Sequence, residues 1–362
     1  MPQKTTQTID WFLYVLVLLI ILLGILAIYS VSYKSGGQFF WDQIVFAGIG
    51  IGLMILLTFV DYRVFKSVDF YLYIGGIILL VIVYFWGKVS GGATRWLDFK
   101  IFQLQPSEIF KFILIITLAS YLSKTMHEFR FKNFIWVILI IALPIFLVLI
   151  QPDFGTAFIL LVIGIGMLII AKINKIYLFI LGLITIIFVP FSWWVILKDY
   201  QKDRLLTFIN PKADPFGAGY NVLQSTIAVG SGMFKGRGFG QGLQTQLNFL
   251  PAAHTDFIFA VIAEQLGFIG VGLIIILFTI LLFKILKVAK IAADDFGYLI
   301  AMGIAILILF QVFVNIGMNI GIMPVTGIPL PFISAGGTSL IVNLSLIGIL
   351  QSIIIRHKKL VF

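Results

Sequence analysis

Uncharged apolar runs recur along this chain at lengths that a membrane sets. No residue from Trp11 to Tyr33 is charged, Asp42 and Asp61 bracket a second run over Gln43 to Val60, and Asp69 and Lys88 bracket a third over Phe70 to Gly87. A fourth, Pro106 to Ser123, opens on a proline suited to a first helical turn and carries Glu108 and Lys111 inside it. Asn133 to Ile150, Phe154 to Ala171 and Ile176 to Leu197 follow, joined by very short connections. Then the pattern breaks, and Lys198 to Asp256 is polar, Gly-rich and punctuated by proline. An eighth run covers Phe257 to Phe283, a ninth runs from Phe296 to Ile322 and a tenth from Ser339 to Ile355. At about 20 residues per crossing, the pattern predicts an all-α polytopic membrane protein of about ten transmembrane helices, with a large extracytoplasmic loop between helices seven and eight. The first run is too long for the apolar core of a cleaved signal and reads as a retained span. No fixed-period repeat divides the sequence, which reads as one domain over residues 1–362 with the loop at 198–256.

Composition narrows the chemistry. With 61% hydrophobic and 11% charged residues the chain lies outside the soluble range of about 45–50% and about 25%. There is no cysteine, and His127, His254 and His357 are scattered, so no zinc, iron–sulfur or disulfide framework is available and any metal must be held by oxygen. The formal charge of +10 is accounted for by loops. Placing the N-terminus in the cytoplasm puts 14 cations there: Lys4, Arg63, Lys66, Lys124, Arg130, Lys132, Lys172, Lys175, Lys284, Lys287, Lys290, Arg356, Lys358 and Lys359. The short outer loops hold only Lys34, Lys88, Arg95 and Lys100. Both termini therefore read as cytoplasmic, and no nucleic acid is needed to explain the charge.

Several residues are not explained by membrane burial. Glu108 and Lys111 stand three apart on one helical face, either as a structural ion pair or as the wall of a cavity where Lys111 holds a phosphate. Asp153 follows Pro152 in a short connection, where it caps the sixth helix or faces a site. Asp256 stands where the long loop enters the eighth span, and Glu264, two turns deeper, reads as a buried structural acid. Within the loop, Gly219 to Ala228 has the pattern of a helix on the membrane surface. Gly230 to Gly242 follows, rich in glycine and carrying Lys235 and Arg237, a composition that suits a phosphate or diphosphate, with flexible turns as the alternative. Pro324 to Gly337 contains three prolines and Ser334 and cannot be an ordinary helix; irregular backbone at membrane depth marks a site or a gate. The residues alone leave two chemistries open, a membrane transferase acting on a lipid-linked diphosphate and a secondary transporter or flippase.

The runs Asn210 to Glu264 and Asn315 to Ser339 resemble the SEDS family (shape, elongation, division and sporulation) of polytopic peptidoglycan glycosyltransferases. Gly92-Ala93-Thr94-Arg95-Trp96, Gln105-Pro106-Ser107-Glu108 with Lys111, Gln151-Pro152-Asp153-Phe154-Gly155-Thr156 and His254-Thr255-Asp256-Phe257-Ile258-Phe259 carry the resemblance in order. Pro324 to Phe332 is more similar to the elongation branch (RodA) than to the division branch (FtsW). The resemblance implies polymerisation of lipid II into β-1,4 glycan strands at the outer face of the bacterial cytoplasmic membrane during cell elongation. Undecaprenyl diphosphate leaves, and a class B penicillin-binding protein and the elongation machinery are the partners. It implies Asp256 as the general base of an inverting transfer. Arg95, Lys111, Arg204, Lys235 and Arg237, or an oxygen-bound Mg²⁺ or Mn²⁺, are the candidates to stabilise the leaving diphosphate, with no organic cofactor. Glu108, Asp153 and Ser334 complete the expected substrate contacts. The chain departs from the family at Ala252 and Ala253, where Glu is common, and at Ala335, where Tyr is common. These departures count against giving those positions catalytic or metal-binding work in this chain.

Overall fold

The structure is a computed structural model that describes residues 9–33, 36–90, 93–99, 103–195, 202, 207–208, 218–247 and 249–357. All ten expected crossings fall on helices. They are α1 (Trp11–Ser32), α2 (Gln38–Phe59), α3 (Val64–Trp86), α4 (Pro106–Thr125), α5 (Phe131–Ile150), α6 (Phe154–Ile170) and α7 (Lys175–Val195). Within the long loop lie α8 (Ala218–Ser231) and the single turn α9 (Leu243–Gln246), and the last three spans follow it as α10 (Ile258–Ile291), α11 (Asp295–Asn319) and α12 (Gly337–Ile355). Among the described residues, eight helices are long and apolar enough to cross a membrane, and α6 is a shorter apolar helix of 17 residues. The chain is a multi-pass, mainly helical membrane protein.

Helix starts follow capping chemistry. The Asp10 carboxylate accepts the Leu13 N–H at 3.1 Å, Asp153 accepts the Thr156 N–H at 3.2 Å and Asp294 accepts the Gly297 N–H at 2.8 Å. Each satisfies a donor that the first helical turn leaves unpaired. α12 lies along α2, α10 packs on α11, and α4 is surrounded by α3, α5, α6, α11 and α12. Lys111 and Glu108 therefore lie in the interior of the bundle.

Two features differ from the sequence reading. Three short strands, β1 (Lys88–Ser90), β2 (Ala93–Asp98) and β3 (Gln103–Leu104), pair as an antiparallel sheet where a loop was expected. α8 does not simply lie on a membrane surface: it packs against α10 and α11, burying Val222, Ser225 and Ala228, and the Ser225 hydroxyl donates to the Asn319 carbonyl at 2.8 Å.

The two ends of the bundle differ in character. At the end that holds Asp10 and Arg356, ion pairs join Lys284 to Asp10 at 2.8 Å, Arg63 to Asp294 at 3.0 Å and Arg356 to Asp61 at 3.4 Å. The opposite end gathers the sheet, the starts of α2, α4, α6 and α10, and the broken segment before α12.

Candidate active site

Asp256 is placed by its backbone. Its carbonyl accepts the side-chain amide of Asn315 at 3.1 Å and that of Asn319 at 3.1 Å. The Asn315 amide also donates to the Ile328 carbonyl at 2.8 Å, so one side chain ties the turn before α10 to the Pro-rich segment. Asn319 accepts the Ala260 N–H at 3.1 Å through its Oδ1, fixing the first turn of α10 to the end of α11. Both asparagines are fully buried. Sequence reasoning did not assign them a role, although their spacing of four, on one face of an apolar span, was the available signal.

The broken segment holds the same turn from its other side. The Ser334 hydroxyl donates to the Thr255 carbonyl at 2.7 Å and accepts the Leu330 N–H at 2.8 Å, and the Ala335 N–H donates to the His254 carbonyl at 2.8 Å. Gln43, buried in α2, donates to the Ser334 carbonyl at 3.3 Å. Ser334 thus supports the backbone beside Asp256. Gly327 has φ +72°, and a Cβ added there would lie 3.5 Å from Asp256 Oδ2. Glycine adopts this positive φ without strain, and the turn passes within van der Waals reach of the carboxylate.

A second cluster lies at the start of α6. A Cβ on Gly155 would meet the Thr326 carbonyl oxygen at 2.5 Å, so the α6 N-terminus and the Pro-rich segment are in direct contact. Asp153 accepts the Thr156 hydroxyl at 2.9 Å and the Gln105 amide at 3.3 Å, and pairs with Arg95 at 3.9 Å. Arg95 also donates to the Pro152 carbonyl, while its Nε is buried with no hydrogen-bond partner. Directly below, Lys111 donates to Glu108 at 2.6 Å, and Lys111 is only 1% exposed. The structure therefore brings Arg95, Asp153, Glu108 and Lys111 to the same end as Asp256 and Ser334.

The glycine-rich loop has another task. α10 is interrupted at Gly267, whose φ of 62° and ψ of −157° break the helical hydrogen-bond ladder. The loop repairs it: the Arg237 and Gly238 N–H groups donate to the Glu264 and Gln265 carbonyls at 2.9 and 3.1 Å, and the Phe268 N–H donates to the Met233 carbonyl at 2.9 Å. A Cβ on Gly267 would lie 2.3 Å from the Gly236 nitrogen, so glycine is required for this approach. The expectation that these amides cradle a phosphate is corrected for Arg237 and Gly238, whose N–H groups are already bonded to α10. Lys235 and Arg237 lie exposed beside residues 264–268, and the Arg237 side chain donates to the Ser231 carbonyl at 3.2 Å. Arg204 lies outside the described residues. Glu264, fully buried, accepts the Gln244 and Thr245 N–H groups and the Thr245 hydroxyl, the last at 2.6 Å, and so locks the loop to α10.

Beside Thr255 opens a cavity of about 560 Å³ between α2, the sheet and the start of α12. His254 lines it and stacks on Phe39 with ring centroids 3.9 Å apart. Burial pushes the His254 imidazole below its ordinary pKa, so it is neutral near pH 7. Among the described residues no three Asp, Glu, His or Cys side chains converge on a point that could hold a metal ion.

The sequence matches the family model FTSW_RODA_SPOVE, described as cell cycle protein, over residues 10–359. It is 38% identical over 348 residues to the peptidoglycan glycosyltransferase MrdB of Escherichia coli K12, covering 95% of this chain and 94% of that protein. A chain from a peptidoglycan synthase complex, solved in work on the structural coordination of polymerization and crosslinking, superposes with a TM-score of 0.83. It is 32% identical, with 96% of this chain and 98% of that one covered. The rod shape determining protein RodA of Thermus thermophilus superposes with a TM-score of 0.74 at 26% identity, covering 99% of this chain and 100% of that one. With sequence and fold matched along nearly their whole length, the chain belongs to the FtsW/RodA/SpoVE family of cell cycle proteins.

Proposed function

We propose that this chain is a peptidoglycan glycosyltransferase that polymerises lipid II into β-1,4 glycan strands, with Asp256 as its general base. The observation that carries the proposal is the clamp on Asp256. Asn315, Asn319 and Ser334 fix the backbone at Thr255 and Asp256, at the end of the bundle that also holds Arg95 and Lys111. A base that takes a proton in the transition state needs this kind of fixed placement.

The Asp256 carboxylate takes the proton of the acceptor sugar's 4-hydroxyl as that oxygen attacks the anomeric carbon of the donor. The bond from that carbon to the diphosphate breaks, its electron pair leaves with undecaprenyl diphosphate, and attack from the opposite face inverts the centre to β. The diphosphate is a good leaving group that needs charge stabilisation more than a proton. Arg95 suits that role best, because its buried Nε has a donor to give. Lys111 supports it from beneath, with its charge held by Glu108. Among the described residues the carboxylates form no dedicated cage for Mg²⁺ or Mn²⁺; such an ion would enter on the diphosphate, as Mg²⁺ usually does with one or two carboxylates and substrate oxygens.

The end that carries Asp256 faces outward from the bacterial cytoplasmic membrane and both termini lie in the cytoplasm. The support is the excess of Lys and Arg on the terminal side. The crosslinking partner is a class B penicillin-binding protein, within the elongation machinery. The test is gel-resolved glycan from labelled lipid II, using the purified chain reconstituted with its class B partner. Polymer supports the transferase; movement of lipid II across vesicles with no polymer supports a flippase instead.

A further inference from the structure

At the end of the bundle that carries the chain termini, one basic corner takes no part in the ion pairs that join the helices there. Residues 128–132 and the connection 171–176 carry Arg130, Lys132, Lys172 and Lys175 against the single acid Glu128. The fold joins the two segments. The Tyr177 ring in the first turn of α7 packs on Phe129 and Phe134 with ring centroids 5.5 and 5.2 Å apart, which ties the start of α7 to the start of α5, and α5 packs along α6. All four cations are exposed. Arg130 meets Glu128 at 3.8 Å with both side chains largely in solvent, and Lys132, Lys172 and Lys175 make no ion pair among the described residues.

Packing does not account for the lysine at position 172. Its φ is +53°, in the left-handed region that glycine or asparagine occupies at lower cost. Its side chain is exposed and makes no hydrogen bond or ion pair among the described residues, so nothing within the chain repays that cost.

Below the cations the surface turns apolar. Phe131, Ile135 and Leu139 form an exposed row on α5, and Ile176, Phe179 and Leu183 are exposed on α7. Both sets descend from the charged end into the spans, by about 6 Å for every four residues. A soluble acidic protein would meet the cations and leave these rows untouched. A phospholipid meets both, with its phosphate at the lysines and its chains along the rows.

We propose that this corner is a docking surface for anionic phospholipid, at which Arg130, Lys132, Lys172 and Lys175 hold the headgroup phosphates. The proposal goes beyond the transferase reading and does not depend on it, since it requires only that α5 and α7 cross a bilayer.

The test is lipid retention by the full chain purified in detergent, read by native mass spectrometry. The probe is dioleoyl phosphatidylglycerol, with zwitterionic dioleoyl phosphatidylcholine as control. The proposal expects wild type to retain the first lipid over the second. It expects a variant with Lys132→Gln, Lys172→Gln and Lys175→Gln to bind phosphatidylglycerol at least about tenfold more weakly, with phosphatidylcholine unchanged. A second variant, with Lys287→Gln and Lys290→Gln at two exposed lysines of the same end, is expected to keep its retention within about twofold, which separates a local surface from the general attraction of a basic face. Melting temperature and partner co-purification verify folding of both variants. Equal retention of the two lipids by wild type, unchanged retention in the folded triple variant, or an equal loss in the Lys287 and Lys290 variant overturns the proposal. A triple variant that keeps phosphatidylglycerol but no longer binds a polyglutamate peptide that wild type binds would assign the corner to an acidic protein segment and overturn it as well.

Discussion

Lys111 donates to Glu108 across 2.6 Å in the interior of the bundle, and each is nearly sealed from solvent. Two charges so placed are costly to separate and not costly to remove together: truncating one partner of a buried pair costs about 3–5 kcal/mol, while replacing both with apolar residues is often neutral. Glu108→Leu alone is expected to lower the melting temperature sharply, and Glu108→Leu with Lys111→Met to restore most of it. Glycan synthesis is not expected to return with the fold, because Lys111 supports the diphosphate as well as the helix. Full polymer yield from the double variant would make the pair purely structural.

Gly327 stands at φ +72° against the Asp256 carboxylate. Gly327→Ala places a β-carbon in a conformation that costs about 1–2 kcal/mol and in contact with Oδ2. The expected result is a modest loss of stability with a larger fall in kcat than rise in KM, measured on lipid II with the partner present. A loss confined to the melting temperature would detach Gly327 from the carboxylate's placement.

Glu264 receives three donors from residues 244 and 245. Hydrogen bonds to a charged group contribute about 1.5–3 kcal/mol each when one partner is lost. Glu264→Gln should loosen the loop from α10, read as faster limited proteolysis within residues 232–247. Cleavage at the wild-type rate would show that the backbone bonds around Gly267 hold the loop unaided.

His254 is held neutral by burial, its pKa below the ordinary value of about 6.5. The unfolded chain takes up the proton first, so the stability this residue contributes is complete above that value and drains as pH falls through the lower folded pKa. His254→Phe preserves the ring stack on Phe39 and cannot titrate. Between pH 7 and pH 5 its melting temperature should fall less than that of wild type; parallel curves would remove His254 from the acid response.

The ten spans were legible because hydrocarbon thickness imposes a length that charges such as Asp42, Asp61 and Lys88 punctuate visibly. The pairing of Glu108 with Lys111 and the capping by Asp153 were each one of two readings that spacing offered. What escaped was everything set by contacts between distant segments. The sheet at 88–104 is too short and too mixed to show strand periodicity. The break at Gly267 reads as ordinary apolar helix, because only the loop folded against it reveals the kink. For the same reason the amides of Arg237 and Gly238 suggested a phosphate, since no sequence shows which acceptor an N–H has found. Asn315 and Asn319 were visible as polar residues in an apolar span, but their common target, the carbonyl of Asp256, was not.

The placement of Asp256 by two asparagines and a serine is most directly tested by comparing wild type with Asp256→Asn in lipid II polymerisation, both reconstituted with the class B partner at matched folding. Asparagine keeps the size and the backbone clamp while removing the proton acceptor. The predicted result is a loss of polymer of at least a hundredfold, the low end of the roughly 10²–10⁴-fold that a positioned base contributes, with partner binding unchanged. Polymer at the wild-type rate from the folded variant would contradict the assignment of Asp256 as the base.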